Sequence, residues 1–261
     1  MTTSVMAYTN SSWRAAALIT TAMMIAGCAV TVDGAAHPTP GVAPRSISGQ
    51  TVTRVLLGKT ALSRIAKQPL RIDPRYPPIF GGPDALAGGK APWPNDCNGV
   101  AMMLQHSAYR DSNVKDVART TWQPDTDSTA ITQVEEGVVS LATAADAQAL
   151  FMKFSRQWQR CEGKTVPVAS GPIKLNVKVD NVQTAASVTA ATMSIDLDSP
   201  NPRVEDGLPA QRAIGVRDNC LLEVEVDFGN NANPSPQQPG EVNTTALDIA
   251  QVMRDKVNAL S

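Results

Sequence analysis

The pattern of apolar residues is clearest between positions 143 and 163, where they recur at three- and four-residue spacing. This spacing predicts a helix with one buried face. Thr143 is suited to cap its start, with Asp146 three residues later as in a capping box, and Gly163 suits its end. The predicted stripe comprises Ala147, Leu150, Phe151, Phe154 and Trp158, with Cys161 close to it. We expect other segments to pack around this aromatic-rich helix.

Alternating apolar and polar residues predict strands before and after this helix. They cover residues 114–123, 130–142, 173–179, 188–197, 211–217 and 220–228. Asp218-Asn219 predicts a hairpin turn between the last two. In the final strand Leu222 and its apolar neighbours alternate with Glu223, Glu225 and Asp227. The alternation predicts an antiparallel sheet with one face in water.

Helical patterns also occur at both ends of the chain. The pattern predicts two short helices within residues 48–67, interrupted near Gly58. It also predicts a short helix that begins at Cys97 and a closing helix over residues 243–260. Residues 68–96 are rich in proline and glycine and predict a long loop carrying Tyr76, Phe80 and Trp93. Runs of strands flanked by helices predict an α+β single domain, an antiparallel β-sheet with helices packed on it.

The N-terminus predicts export and lipidation. Residues 1–27 carry one charge, Arg14, and an apolar run of 13 residues that is too short to span about 30 Å of hydrocarbon comfortably. Ile25-Ala26-Gly27-Cys28 fits a lipobox, in which Cys28 is diacylated and residues 1–27 are removed as a signal peptide. An ordinary signal peptide with a chance cysteine is the alternative. We expect residues 28–47 to form a flexible tether and residues 48–261 to form the domain.

Charge and motif content limit the function classes. The whole chain has a formal charge of −1, and removing Arg14 gives −1 − 1 = −2, which argues against nucleic-acid binding. The chain has no CxxC motif and its histidines are His37 and His106, so we predict no metal site and no cofactor. Neither a G-x-S-x-G motif nor a glycine-rich phosphate loop is present, and we predict no enzyme.

Three cysteines remain in the predicted mature chain beside Cys28. An exported chain favours one disulfide and one unpaired cysteine. Cys97 opens one predicted helix and Cys161 ends another, so these two can meet without distorting a strand, and Cys97–Cys161 is the preferred pairing. Cys220 lies on the inward face of a strand, where a free thiol behaves as a small apolar group. Cys161–Cys220 remains the main alternative, because the helix stripe faces the sheet.

The order of these motifs resembles one family. The lipobox is followed by the tether, D-C-N-G-V at 96–100, W-x-x-C-x-G at 158–163, the Asp218-Asn219-Cys220 hairpin and a closing helix. This order is similar to that of the PknH-like extracellular domain, the sensor module of a mycobacterial transmembrane serine/threonine kinase, which also occurs alone in lipoproteins of the LppH type. The resemblance covers about residues 48–260. It implies one α+β domain with an open cleft for a ligand and no enzymatic activity. Sensor domains of this family typically carry four cysteines in two disulfides, one cysteine more than the three of the domain here, so the resemblance implies that one bridge is missing near Cys220.

Five residues are candidates to line such a cleft: Tyr109, Arg119, Trp122, Gln133 and Glu135. Arg119 and Trp122 share one predicted strand, Gln133 and Glu135 share the next, and Tyr109 comes just before them. The odd spacing of Arg119 and Trp122 places them on opposite faces unless a bulge intervenes. The alternative is that Trp122 is a core or rim aromatic and that Arg119 pairs with a surface carboxylate.

The functional prediction is a non-catalytic, lipid-anchored binding or sensing domain on the extracytoplasmic face of the mycobacterial cell membrane. Its ligand would be an unidentified small or envelope-derived molecule. The lipid on Cys28 would attach it to the membrane. The alternative is a structural or interaction lipoprotein that docks an envelope protein and holds no small molecule.

Overall fold

The structure, a computed structural model, describes residues 45–88, 96–126, 130–170, 173–197, 207–229 and 245–261. The predicted signal peptide, the lipidation site Cys28, most of the tether and Trp93 lie outside these residues. All of the described residues belong to one compact unit. Ile47 is already buried and exchanges two backbone hydrogen bonds with the side chain of Asn219, so the packed domain begins one residue before the predicted boundary.

Nine antiparallel strands in the described part of the chain form one sheet, in the order β1-β3-β4-β9-β8-β7-β6-β5, with β2 also paired to β3. The strands are β1 (Leu70–Ile72), β2 (Ile79–Gly81), β3 (Val114–Pro124), β4 (Ile131–Leu141), β5 (Thr165–Ser170), β6 (Ile173–Ala185), β7 (Val188–Leu197), β8 (Leu208–Arg217) and β9 (Cys220–Phe228). The helices are α1 (Lys59–Ile65), α2 (Asn98–Ala101), α3 (His106–Tyr109), α4 (Ala144–Cys161) and α5 (Thr245–Leu260), with 3-10 helices at Gly49–Val55 and Pro83–Ala85. None of the described helices combines the length and apolarity that a membrane crossing requires.

Helices cover both faces of the sheet. Leu221 of β9 packs in a core with residues of α2, α3 and α4, whereas Leu222 packs in a second core with the first 3-10 helix, α1 and α5. Because successive strand residues point to opposite sides, the two cores lie on opposite faces. We call them the α4 face and the α5 face. The prediction of an antiparallel sheet with helices packed on it is confirmed.

Helix α4 follows its sequence pattern closely. The hydroxyl of Thr143 accepts a hydrogen bond from the backbone N–H of Asp146 at 3.0 Å, and Gly163 adopts the left-handed backbone (φ +73°) that ends the helix. The predicted stripe is buried. Cys161 forms a disulfide with Cys97, the N-cap of α2, with an S–S distance of 2.05 Å. This is the pairing preferred from the sequence, and Cys220 is buried and free.

Two expectations about the sheet were wrong. The predicted loop 68–96 contains β1 and β2, which pair with β3 through Ile72 opposite Trp122 and Phe80 opposite Ala118. The sheet also has no fully solvated face along β9, because α2, α3 and α4 cover Glu223, which is only 3% exposed. The polar positions of β9 reflect buried polar contacts as well as contact with water.

Candidate functional site

A buried ion pair lies beneath the helices of the α4 face. Arg212 of β8 and Glu223 of β9 are 1% and 3% exposed, and their guanidinium and carboxylate are hydrogen-bonded to each other. Arg212 also donates to backbone carbonyls of α2. Glu223 accepts from the Tyr109 hydroxyl at 2.5 Å and from the backbone N–H of Leu104. The Trp158 ring lies 5.5 Å from the guanidinium carbon. The pair therefore fastens the α2–α3 segment to the sheet.

Carboxylates continue from this pair along the same face. Glu135 of β4 lies directly opposite Glu225 of β9, and Asp227 follows two residues later. We call these three residues the acidic row. Arg119 Nη1 lies 3.5 Å from Glu135 Oε1, and Arg212 Nε lies 3.4 Å from Glu225 Oε2. Like charges directly opposite in a sheet repel, so the acidic row opposes folding when it is fully ionised.

Burial makes protons bind more tightly to the acidic row. It raises the pKa of Asp227 to about 7, with the charge of Glu135 as the second cause. Burial, followed by the charge of Asp227, holds the pKa of Glu225 well above its usual range. Burial also raises the pKa of Glu135, although Arg119 acts against it. Among the described residues, no group of three or more His, Cys, Asp or Glu side chains has an arrangement that could hold a metal ion.

A groove of about 550 Å³ lies on the α5 face, at the edge of the sheet where β1 and β2 pair with β3. We call it the edge groove. Ligand sites in proteins commonly measure about 300–1,000 Å³ and are mostly apolar with a few polar groups. The apolar lining here comprises Leu56, Leu57, Ile72, Pro78, Ile79, Phe80 and Trp122. Ile72 and Phe80 are 44% and 38% exposed, so this wall is open to solvent.

The loop between β1 and β2 is held by a buried carboxylate. Asp73 is fully buried and accepts hydrogen bonds from the backbone N–H and the guanidinium of Arg75. Its own backbone N–H donates to the Thr121 carbonyl at 2.9 Å, which continues the attachment to β3. The Arg75 guanidinium holds the pKa of Asp73 below its ordinary value. This anchoring positions Ile72 and β2 as the outer wall of the edge groove.

The polar part of the edge groove is positively charged. Arg54, Arg119 and Lys256 line it, and none of the described residues that line it is acidic. The Lys256 ammonium donates to the Leu56 carbonyl. Burial lowers the pKa of Lys256, Arg54 lowers it further, and buried Glu136 raises it.

Glu136 lies under the groove and is fully buried. Its two carboxylate oxygens accept hydrogen bonds from the Leu57 backbone N–H at 2.8 Å and from Trp122 Nε1 at 3.0 Å. Burial raises the pKa of Glu136 to about 8 despite these contacts. Burial thus favours the uncharged form of Glu136, whereas the charge of Lys256 favours its ionised form.

The structure divides the five cleft candidates between the two faces. Tyr109 is buried in the ion-pair cluster, and Arg119 pairs with Glu135 on the α4 face. Gln133 is half-buried and lies opposite Asp227. Trp122 lies on the α5 face beside Glu136, and β3 has no bulge between Arg119 and Trp122. Both residues nevertheless border the edge groove, because it lies at the edge of β3.

Several residues of these sites were missing from the sequence prediction. For Arg212 a signal existed: it directly precedes the apolar run of residues 213–216, and the register of the predicted hairpin places it opposite Glu225. Arg54 and Lys256 carry no such signal, since they meet only when α5 packs beside the first 3-10 helix.

One protein family and two solved structures are similar to this chain. The family described as "PknH-like extracellular domain" matches residues 47–256. The crystal structure of the extracellular domain of PknH from Mycobacterium tuberculosis has a TM-score of 0.64 and 18% identity, covering 83% of this chain and 100% of that chain. An X-ray structure of an uncharacterized protein from Mycobacterium smegmatis, an Rv0999 ortholog, has a TM-score of 0.35 and 13% identity, covering 77% of this chain and 95% of that one. No curated protein matches the chain.

The family match spans nearly all of the described domain, and the PknH structure shares its fold. The resemblance seen in the order of sequence motifs is thereby confirmed. The chain belongs to the PknH-like extracellular domain family.

Proposed function

We propose that the protein is a lipid-anchored, extracytoplasmic ligand-binding domain of the mycobacterial cell envelope, sensor-like and non-catalytic. The edge groove carries this proposal, because it combines an apolar wall with a few charged groups in a volume suited to a small molecule. The described residues that line it include Thr53, Thr120 and Lys256 but no His, Cys, Asp or Glu side chain, the groups that most often activate a nucleophile in hydrolases. The groove is therefore better suited to hold a molecule than to transform it.

The bound molecule is tested by native mass spectrometry of protein purified from its own envelope. We expect an additional mass on the wild type that is lost in Phe80→Asp, because this change places a charge on the apolar wall. Met152→Asp is the matched control, since Met152 is also exposed (44%) but lies on α4. A wild type with no bound mass, or an equal bound mass in Phe80→Asp, contradicts ligand binding in the edge groove.

The lipid anchor is a separate part of the proposal and rests on the lipobox at Cys28. Two or more acyl chains would hold the domain stably at the membrane. Cys28→Ala should yield either a precursor or a released protein, detected by intact mass and detergent-phase partitioning. A Cys28→Ala protein that has lost residues 1–27 and still partitions like wild type contradicts the anchor.

A protein-docking role is the alternative, and one observation favours it. Ile72 of β1, Tyr76 of the loop between β1 and β2, and Phe80 of β2 are all exposed, with Tyr76 51% exposed. Large apolar side chains that are exposed together often mark interaction sites. Under this alternative, a photocrosslinker at position 76 captures one defined envelope protein, and the envelope-purified domain carries no small molecule.

A further inference from the structure

Two of the three cations that line the edge groove, Arg54 and Lys256, make no direct ion pair with the described residues. Arg54 is exposed and makes no hydrogen bond or ion pair with them. Lys256 is bonded to a neutral carbonyl, and the oxygens of Glu136 are taken by the N–H groups of Leu57 and Trp122. Arg119 lies within 3.5 Å of Glu135, and buried Glu136 acts on Lys256 without a direct hydrogen bond to it among the described residues. An anion near Arg54 and Lys256 would relieve the repulsion between these two cations.

The other wall of the same groove offers apolar surface to a ligand. Ile72 and Phe80 are exposed to water over about two fifths of their surface, and Trp122 and Leu56 also line the groove. Covering such surface with a hydrocarbon chain is favourable, because it removes apolar area from water. A small ion alone would leave this wall uncovered.

From this juxtaposition we propose that the edge groove binds a single-chain amphiphile with an anionic head group, a ligand of the fatty-acid class. The carboxylate contacts Arg54 and Lys256, and the aliphatic chain lies along Ile72, Phe80 and Trp122. A volume of about 550 Å³ suits one small molecule, hence a single chain. This inference rests on the proposed ligand-binding function and specifies the ligand class for the same groove.

Three probes with one chain length test the charge preference: decanoate, decyltrimethylammonium and decyl maltoside, each below its micelle concentration. The protein is the whole mature chain, residues 28–261, with Cys28→Ala so that no lipid of its own competes. Calorimetry gives the affinities, and amide chemical shifts locate the contact. We expect decanoate to bind at least about tenfold more tightly than decyltrimethylammonium. It should shift the amides of Thr120 and Trp122, while acetate does not.

Variants separate the head-group contact from the chain contact. Arg54→Ala and Lys256→Met should each weaken decanoate at least about fivefold and leave decyl maltoside unchanged. Phe80→Ala should weaken both. Arg64→Ala and Met152→Ala are the matched controls, since both residues are exposed and lie outside the groove. Arg54 has no partner among the described residues, so its substitution should not unfold the domain.

Equal affinity for all three probes, or decanoate binding that neither Arg54→Ala nor Lys256→Met weakens, overturns the anionic assignment while leaving ligand binding intact. If Phe80→Ala is the only variant that loses decanoate binding, the site is purely apolar, and the anionic assignment is likewise overturned. If no probe contacts the groove, the proposed ligand class is wrong. Whether the groove binds any ligand is then decided independently by native mass spectrometry of the envelope-purified protein. Binding of decanoate only when it is presented in phosphatidylglycerol vesicles indicates a membrane surface and also contradicts the proposal.

Discussion

At the scale of single residues, Arg212 connects more of the domain than any local pattern suggests. It bonds Glu223 within the sheet and the carbonyls of α2, and it lies over Trp158 of α4. A buried charge without its partner costs far more than an exposed one. We therefore expect Arg212→Met to lower the free energy of unfolding by about 3–5 kcal/mol, measured by chemical denaturation at neutral pH.

The matched control uses the same substitution at a surface ion pair. Arg71 lies 3.7 Å from Asp125, and both side chains are largely or partly exposed. Arg71→Met should change the free energy of unfolding by less than about 1 kcal/mol. Similar losses in the two variants would contradict a special role for the buried pair.

Asp227 makes the stability of the domain depend on pH. Its pKa is about 7 in the folded protein, against an ordinary value of 3.8. Below both values the carboxyl is protonated in either state, but between them the folded protein holds a proton that the unfolded chain has lost. Stability from this group is therefore present at low pH and lost as pH rises towards 7. Compared with wild type, Asp227→Asn should lose less stability between pH 5 and pH 8, by on the order of 1–2 kcal/mol.

Urea unfolding at pH 5 and pH 8 measures this difference. Asp111→Asn is the control, because Asp111 is exposed and lies outside the acidic row. Part of the pH dependence should persist in Asp227→Asn, since Glu135 and Glu225 also bind protons more tightly in the folded state. A pH dependence identical to that of wild type would show that Asp227 is well hydrated.

At the scale of secondary structure, α4 is the element on which the α4 face depends. Trp158 is 1% exposed and packs against the Arg212 guanidinium. Truncating a buried tryptophan removes its contacts and leaves a cavity. Trp158→Ala should destabilise the domain by about 3–5 kcal/mol in chemical denaturation. Met152→Ala on the exposed side of α4 should cost less than about 0.5 kcal/mol. A loss below about 1 kcal/mol for Trp158→Ala would contradict the buried stripe.

Elements with a long, regular pattern could be predicted from the sequence. The stripe of α4 and the alternation in β9 are local signals, and both elements form where predicted. The three-residue strands β1 and β2 have no such signal, because each is stabilised by pairing with β3, about 40–50 residues away. Glu223 has the sequence appearance of a solvated residue, but the helices that cover it come from distant parts of the chain.

In the candidate sites too, contacts between distant segments could not be predicted from local sequence patterns. The sequence places Arg119 and Glu135 on neighbouring strands as candidates for one cleft, and they do lie within ion-pair distance. The separation of Trp122 from Arg119 follows from strand alternation. The edge groove itself could not be predicted, since it requires β1, β2, the first 3-10 helix and α5 to meet at one edge.

At the scale of the whole molecule, the proposed tether enters the domain close to the groove in sequence. Ile47 is held at the β8–β9 turn by Asn219, and the next segment forms the first 3-10 helix. Residues 53–54 and 56–58 of this segment line the edge groove. A load on the tether or a molecule in the groove would therefore act on the same short stretch of chain.

The Cys97–Cys161 disulfide joins the start of α2 to the end of α4, and the two cysteines are 64 residues apart in sequence. It fixes α2, which holds Arg212, to the last residue of α4. Closing a loop of this length should stabilise the domain by roughly 4 kcal/mol in the chain-entropy model, seen as a shift of the denaturation midpoint on reduction.

Cys220 is fully buried, and burial raises the pKa of its thiol to about 12, so native protein should resist alkylation. Denaturation without reductant should label Cys220 alone, and reduction should then expose Cys97 and Cys161. Label on Cys97 or Cys161 before reduction would show that the bridge is absent.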